Sequence, residues 1–334
     1  MGSDCLSLPS MALSNRCKCS FIAGLAILIG SPAGAQLLAD QVRGQVESAR
    51  LGSGYAQMIN LSVSPDFSAA SYRIDADEPG SPRPTLNVIR APYQAHWLAI
   101  SPDADLYGRI SGGYLEFKQQ LPLGPAFAPV GSVDSRWSAY SVTGGLLAKV
   151  RLGNGFTLEP ALDLGVARLD NNASYRGSGV LLRPALDGLV FNWQTNAWLA
   201  TPSLGLAWTG GGTDGQLSLR GHVARSWIGS FDATDRVQEF SEAVNIYSVR
   251  AEYTMSSGLR AWDRPLRWVA YGDYAGFFGA NRDALGFDAV AELGGGVEWP
   301  LALGPGDLQR LRLSAGYLFG PGVRGWTLGL SLQY

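Results

Sequence analysis

Large apolar residues alternate with small or polar ones along most of this chain, from about residue 67 to the last residue. The clearest case is Phe156 to Val166. Phe156, Leu158, Pro160, Leu162, Leu164 and Val166 occupy one set of alternate positions, and Thr157, Glu159, Ala161, Asp163 and Gly165 the other. A period of two sends these sets to opposite faces of one strand. The second face carries two carboxylates, so it points neither into lipid nor into a dry core. Tyr140 to Leu152 repeats the pattern, with Lys149 and Arg151 on the polar face. So do Tyr247 to Met255 with Arg250 and Glu252, Phe287 to Trp299 with Asp288, Glu292 and Glu298, and Leu311 to Phe319 with Arg312. Trp198 to Trp208 has a tryptophan at each end of its apolar face, the spacing of two interfacial girdles.

The alternation predicts twelve strands, at about 67–75, 86–100, 104–118, 136–152, 155–169, 194–210, 215–229, 242–256, 265–277, 287–300, 308–319 and 324–334. Ser101-Pro102-Asp103, Gly153-Asn154 and Gly211 to Asp214 are tight connections, and 257–264 and 301–307 are moderate ones. Longer segments, notably 119–135, 170–193 and 230–241, alternate with them. Short turns at one end and long loops at the other are the habit of an outer-membrane barrel. The last strand closes the argument: Trp326, Leu328, Leu330, Leu332 and Tyr334 form a dry face, with Thr327, Gly329, Ser331 and Gln333 between them. A terminal strand ending on an aromatic matches the signal read by barrel-insertion machinery, so these five residues are assigned to assembly.

The fold class expected is therefore all-β, a transmembrane antiparallel barrel of about twelve strands with a short N-terminal α-helix. The helix is expected over Leu37 to Leu51, where Leu38, Val42, Val46 and Ala49 recur at helical spacing and Arg43–Glu47 is an i,i+4 pair. Gly52-Ser53-Gly54 is expected to end it. Tyr55 to Val63, helical or extended, is kept out of the barrel so that the strand count stays even. A soluble β-sandwich with so many inward charges would need an oversized polar core.

The N-terminus adds export. Arg16 and Lys18 precede the apolar run Phe21 to Gly30, and Ala33-Gly34-Ala35 follows it. That order reads as a secretory signal peptide cleaved after Ala35, and the run is too short to span a bilayer as a helix. Cys5, Cys17 and Cys19 all precede the cleavage site, so a mature chain would hold no disulfide, thiolate metal site or cysteine nucleophile. The expected domains are the signal peptide at 1–35, a helix and linker at 36–66 that enter the lumen, and the barrel at 67–334.

Composition agrees. Charged residues are 16% of the chain, well below the soluble average of about 25%, while glycine reaches 43 residues. A net charge of −2 argues against a nucleic-acid partner. The partners expected are outer-membrane lipid and, during assembly, the insertion machinery; a monomer is expected.

Three stretches carry a resemblance. SPDFSAASYRID (Ser64–Asp75), YGDYAGFFGANRDALGFD (Tyr271–Asp288) and AELGGGVEW (Ala291–Trp299) resemble the solitary autotransporter-like outer-membrane barrel family. That likeness implies a translocator-type barrel in the outer membrane, with a structural, translocator or surface-interaction role. Between Gln36 and Asp66 there is room for a helix and none for a β-helical passenger.

Candidate chemistry is sparse. The two histidines are His96, whose strand phase is ambiguous near Pro92, and His222, on a polar face beside Arg220. His96 and Ser101 share a strand without a hydrolase motif, and Asp232 and Asp235 are loop carboxylates. No enzymatic activity, cofactor or metal is expected. Gly294-Gly295-Gly296 is expected to permit curvature or close approach of the helix. The residues expected to line the lumen are Lys149, Arg151, Glu159, Asp163, Arg220, His222, Arg250, Glu252, Glu292, Glu298 and Arg312. A narrow channel for small charged solutes is the alternative function.

Overall fold

The computed structural model describes residues 42–44, 51–63, 69–74, 83–122, 131–212, 215–279, 282, 284–301 and 309–333. The expected signal peptide, Ser64 to Asp66 and Tyr334 lie outside the described residues, as does most of the helix expected over Leu37 to Leu51. Residues 42–44 of that segment are helical.

The helix α1 (Gly52–Val63) precedes twelve strands: β1 (Ala69–Ile74), β2 (Thr85–Ser101), β3 (Ala104–Pro122), β4 (Ser132–Gly153), β5 (Phe156–Arg176), β6 (Trp193–Gly211), β7 (Gly215–Phe231), β8 (Ser241–Ala261), β9 (Arg264–Phe278), β10 (Ala289–Leu301), β11 (Gln309–Gly320) and β12 (Val323–Gln333). Each strand pairs antiparallel with its sequence neighbours, and β1 pairs with β12 to close the barrel. Closure leaves no open edge, the condition a sheet must meet to cross lipid.

Three expectations about local structure are corrected. Gly52-Ser53-Gly54, expected only as a stop, forms the first turn of α1. A Cβ at Gly52 would lie 2.7 Å from the Phe240 Cβ, so a residue without a side chain is what lets α1 start against the barrel wall. The segment 257–264 is mostly strand: β8 and β9 run on to a two-residue turn at Trp262 and Asp263, with φ of 47° and 60°. Both turn residues in the left-handed region match the twist of a hairpin. Asp288 lies just before β10, beside Arg282 at 4.0 Å, and not on its inward face.

The strands also run longer than the alternation suggests, because the two faces exchange character part-way along. In β5 the outward set Leu162, Leu164 and Val166 is exposed, and the inward set includes Glu159 and Asp163. Beyond Val166 the outward residues are Arg168, Asp170 and Asn172, while Ala167 and Leu169 are buried inside. β3 does the same: Asp105, Tyr107 and Arg109 face inward near the short turns, and Leu115 and Phe117 face inward near the long loops. One half of the barrel thus has an apolar outside and a charged inside. The other half has a charged outside and an apolar inside.

Outward aromatics edge the apolar band. Near the short turns Phe156 meets Trp208 with ring centres 6.5 Å apart, and Trp262 meets Trp299 at 4.4 Å with the rings tilted. Towards the long loops Tyr114 meets Tyr140 at 5.0 Å, Tyr247 meets Tyr274 at 5.8 Å and Tyr317 meets Trp326 at 4.9 Å. Two girdles separated by a charge-free band are what a bilayer selects.

A pair of substitutions tests the assigned faces. Leu162, 49% exposed, points outward at mid-band, so Leu162→Arg should cost about 2–4 kcal/mol in lipid vesicles. Ala161→Arg points inward between Glu159 and Asp163 and should be tolerated. Urea titration of the refolded variants gives the comparison, and greater damage from Ala161→Arg would reverse the faces.

A helix-plugged lumen as the candidate functional site

The chemistry of this chain is concentrated inside the barrel, around α1. Every residue of α1 from Gly54 to Val63 is buried. A helix buried on all sides must be covered all round, and here the cover is the inner wall. Tyr55 packs against Trp137, Trp193 and Phe240, with ring centres 5.4, 5.1 and 5.9 Å away. Met58, Ile59 and Leu61 join a core that includes Leu86, Val88, Leu115, Leu169, Leu199, Ile228 and Ile246. The inward apolar residues of the long-loop half are therefore the socket for this helix.

Polar groups on α1 fix its depth. Ser62 Oγ lies 2.5 Å from Ser141 Oγ and donates to the Ile59 carbonyl at 2.6 Å. Asn60 Oδ1 accepts from Ser226 Oγ at 2.6 Å, and Ser226 Oγ in turn accepts from Thr201 Oγ1 at 2.9 Å. Gly113 is the point of closest approach, where an added Cβ would overlap the Ser62 carbonyl. The helix contact expected at Gly294 to Gly296 is thus found at Gly113. Gly294 instead leaves room for the Tyr271 ring.

The helix direction follows from these contacts. Its first turn sits among the aromatics near the long loops, and its last turn reaches the mid-lumen. Ahead of it, Arg43 donates to Asp235 at 3.0 Å in the β7–β8 loop. Partial burial works to raise the Asp235 carboxyl pKa, but the hydrogen bonds from Arg43 and the Val237 backbone hold it below the ordinary carboxylate range. The β5–β6 connection, a 3₁₀ turn at Gly177–Leu182 followed by α2 (Arg183–Leu186), is tied to the same loop. Gln238 Nε2 donates to the Gly188 and Leu189 carbonyls at 2.9 Å each. Within that connection, burial raises the Asp187 pKa, and hydrogen bonds from Asn192, Arg183 and Tyr175 outweigh it.

Beneath the helix the lumen is polar. A small cavity is lined by Asn60, Val63, Arg109, Asp163, Thr201 and His222, among others. Arg109 forks onto both Asp163 oxygens. Glu159 accepts from Arg220 at 3.0 Å, and Lys149 lies 4.5 Å over the Tyr107 ring. Arg151 pairs with Asp105, which also lies 3.6 Å from His96 Nε2. His96 therefore faces inward, and a register shift between His96 and Leu98 is why its phase was unreadable. On the opposite wall Arg312 bridges Glu252 and Glu298, flanked by Arg250 at 3.3 Å from Glu252 and Arg310 at 3.8 Å from Glu298. Glu292 accepts from Tyr271 at 2.7 Å and from Thr327.

The eleven residues expected in the lumen lie at inward positions of their strands, and most are joined in ion pairs, several of them to a strand one or two removed. The five assembly residues are described less fully. Trp326, Leu328 and Leu330 face outward, Leu332 is described in its backbone alone, and Tyr334 lies outside the described residues. The helix-docking residues Ser141, Ser226, Trp137 and Gly113 were not foreseen. The inversion of face character at Val166–Arg168 was the available signal for them.

A charged lumen stoppered by a helix, in a twelve-strand closed barrel, narrows the family. The solitary outer membrane autotransporter beta-barrel domain family matches residues 67–293, more than half of the chain. The chain belongs to that family. As an autotransporter-type barrel it resides in the bacterial outer membrane. Among solved structures, the transport unit of the autotransporter AIDA-I from Escherichia coli is similar at a TM-score of 0.53 and 12% identity, covering 85% of this chain and 99% of that one. The translocator domain of NalP from Neisseria meningitidis scores 0.46 at 11% identity, covering 90% and 99%. The beta domain of the Bordetella autotransporter Brka scores 0.45 at 13%, covering 80% and 97%. At these identities the likeness speaks for the fold, and the AIDA-I transport unit carries it. No curated protein matches the chain.

Proposed function

We propose that this autotransporter-type barrel delivers the polypeptide ahead of α1 to the cell surface through its own lumen, and that α1 then seals the pore. The observation that supports this most is the direction of α1. Its N-terminal turn lies at the extracellular mouth against Trp137, Trp193 and Phe240, and Arg43 is held by an extracellular loop. The chain therefore descends the lumen from outside before entering the wall at β1. A segment in that position has passed through the barrel or folded with it. Either way its upstream end is displayed outside, which gives the barrel a translocator or surface-presentation role.

The display side is testable on whole cells. Gly44 is exposed and has no atom within 4 Å of where a Cβ would sit, so Gly44→Cys adds a thiol without a clash. Intact cells carrying this variant should react with a membrane-impermeant maleimide. Reaction only after the outer membrane is permeabilised would place the segment in the periplasm and remove the proposed role.

A further inference from the structure

The short-turn end of the lumen holds a cation that its acidic neighbours do not pair. Lys149 on β4 stands directly opposite Asp105 on β3. On its other side Glu159 of β5 lies between Ala161 and Leu158, the partners of Leu147 and Val150. A lysine set between two acids would ordinarily pair with one of them. Here both carboxylates are turned to arginines: Asp105 pairs with Arg151, and Glu159 accepts from Arg220 at 3.0 Å. Among the described residues the Lys149 ammonium has neither a hydrogen bond nor an ion pair, and it lies 4.5 Å over the Tyr107 ring.

The arginines win these acids because a guanidinium fork offers a carboxylate two donors where an ammonium offers a point charge. Backbone space helps on one side. Arg220 is on β7, two strands from Glu159, and a Cβ on Gly205 of the intervening β6 would lie 3.2 Å from Glu159 Cβ and Oε2. Arg220 engages Glu159 through Nη2, so its remaining N–H groups are left for another acceptor.

The cluster therefore carries a surplus positive charge: Lys149, Arg151 and Arg220 stand against Asp105 and Glu159. Arg220 is within electrostatic reach of Lys149, as are both acids. His96, 3.6 Å from Asp105, adds to the positive side when protonated. Although they face inward, the side chains of Arg151 and Arg220 are 51% and 52% exposed, so the lumen here is open to water and to what is dissolved in it.

We propose that Lys149 and Arg220 hold a small oxyanion, such as the phosphate of a dissolved solute, in the open short-turn end of the lumen. The Tyr107 ring closes one side of the ammonium and leaves its other side to the ligand, and the surplus charge selects an anion. The site lies beyond the end of α1 and does not depend on how that helix arrived or on whether it seals the pore.

Amine labelling of the full refolded chain in detergent micelles, read by peptide mass spectrometry, tests this. Lys118, the other lysine among the described residues, points outward and pairs with Glu116 at 2.6 Å, so it serves as an internal control. A millimolar site in about 10 mM inorganic phosphate is about nine-tenths occupied, so acetylation of Lys149 should slow roughly tenfold. Lys118 should react at an unchanged rate, and sodium chloride of equal ionic strength should protect neither lysine. Arg220→Gln with Glu159→Gln removes the second cation without freeing a carboxylate for Lys149, and most of the protection should be lost. Arg220→Lys should keep much of it. A heat-modifiability gel confirms that each variant is folded, and the wild-type comparison stands without them. Equal labelling of Lys149 with and without phosphate would overturn the proposal, as would equal slowing of Lys118 or equal protection by chloride. Full protection in the double glutamine variant would remove Arg220 from the site and overturn the assignment.

Discussion

Deleting Gly52–Val63 is expected to turn a nearly silent barrel into a conducting pore in planar bilayers. The helix fills the long-loop half of the lumen, and Ala56, Met58 and Ile59 are fully buried between it and the wall. Its removal opens a path from the polar chamber near the short turns to the long-loop mouth. Stability should fall at the same time, because each large apolar side chain that loses its cover gives up about 1.5–3 kcal/mol. Leu115, Leu169, Leu199 and Ile228 would then face water inside the barrel. Since the deletion can impair refolding, Gly113→Val gives a second route. Its side chain would meet the Ser62 carbonyl and push the end of α1 away from β3, so intermediate, flickering conductance is expected. Full conductance of the intact chain would favour the channel reading of the charged lumen. Silence of both folded variants would show that something other than α1 closes the pore.

Arg312→Met should be the most damaging single change among the lumen charges. Arg312 donates to Glu298, which is 1% exposed, and to Glu252, so its loss leaves two carboxylates facing each other in a confined space. Breaking a buried ion pair from one side costs about 3–5 kcal/mol. Arg250 and Arg310 remain nearby and should hold the loss towards the lower figure. Arg312→Lys keeps the charge but loses the fork that reaches both acids, and should fall between the two. Arg312→Met with Glu298→Gln should recover part of the loss. Urea unfolding in lipid vesicles measures all three. A cost for Arg312→Met below roughly 1 kcal/mol, the range of exposed pairs, would mean that water already solvates this cluster.

These predictions rest on features that differ in how visible they are from the chain alone. The phase of β5 could be read because lipid and lumen make opposite demands on neighbouring residues: Leu162 and Asp163 cannot exchange faces. The same logic placed Glu252, Glu298 and Arg312 inside before their partners were known. It could not say that Arg312 joins the other two, because β8, β10 and β11 are brought together by closure and register, not by sequence spacing. Nor could it phase His96, where a register shift breaks the period of two.

The helix shows the limit most clearly. Local rules did not read Gly52 and Gly54 as the start of a helix, since glycine weakens a helix in isolation. In the barrel the space beside Phe240 is too small for a side chain, and packing outweighs propensity. The sequence by itself determined the barrel, most of its strand phases and the sign of the faces in the half with the apolar outside, because each follows from a residue's affinity for lipid or water. The tertiary structure decided that the helix occupies the lumen and begins at the long-loop end. Those facts depend on which distant side chains share one cavity, and a one-dimensional pattern carries no record of that.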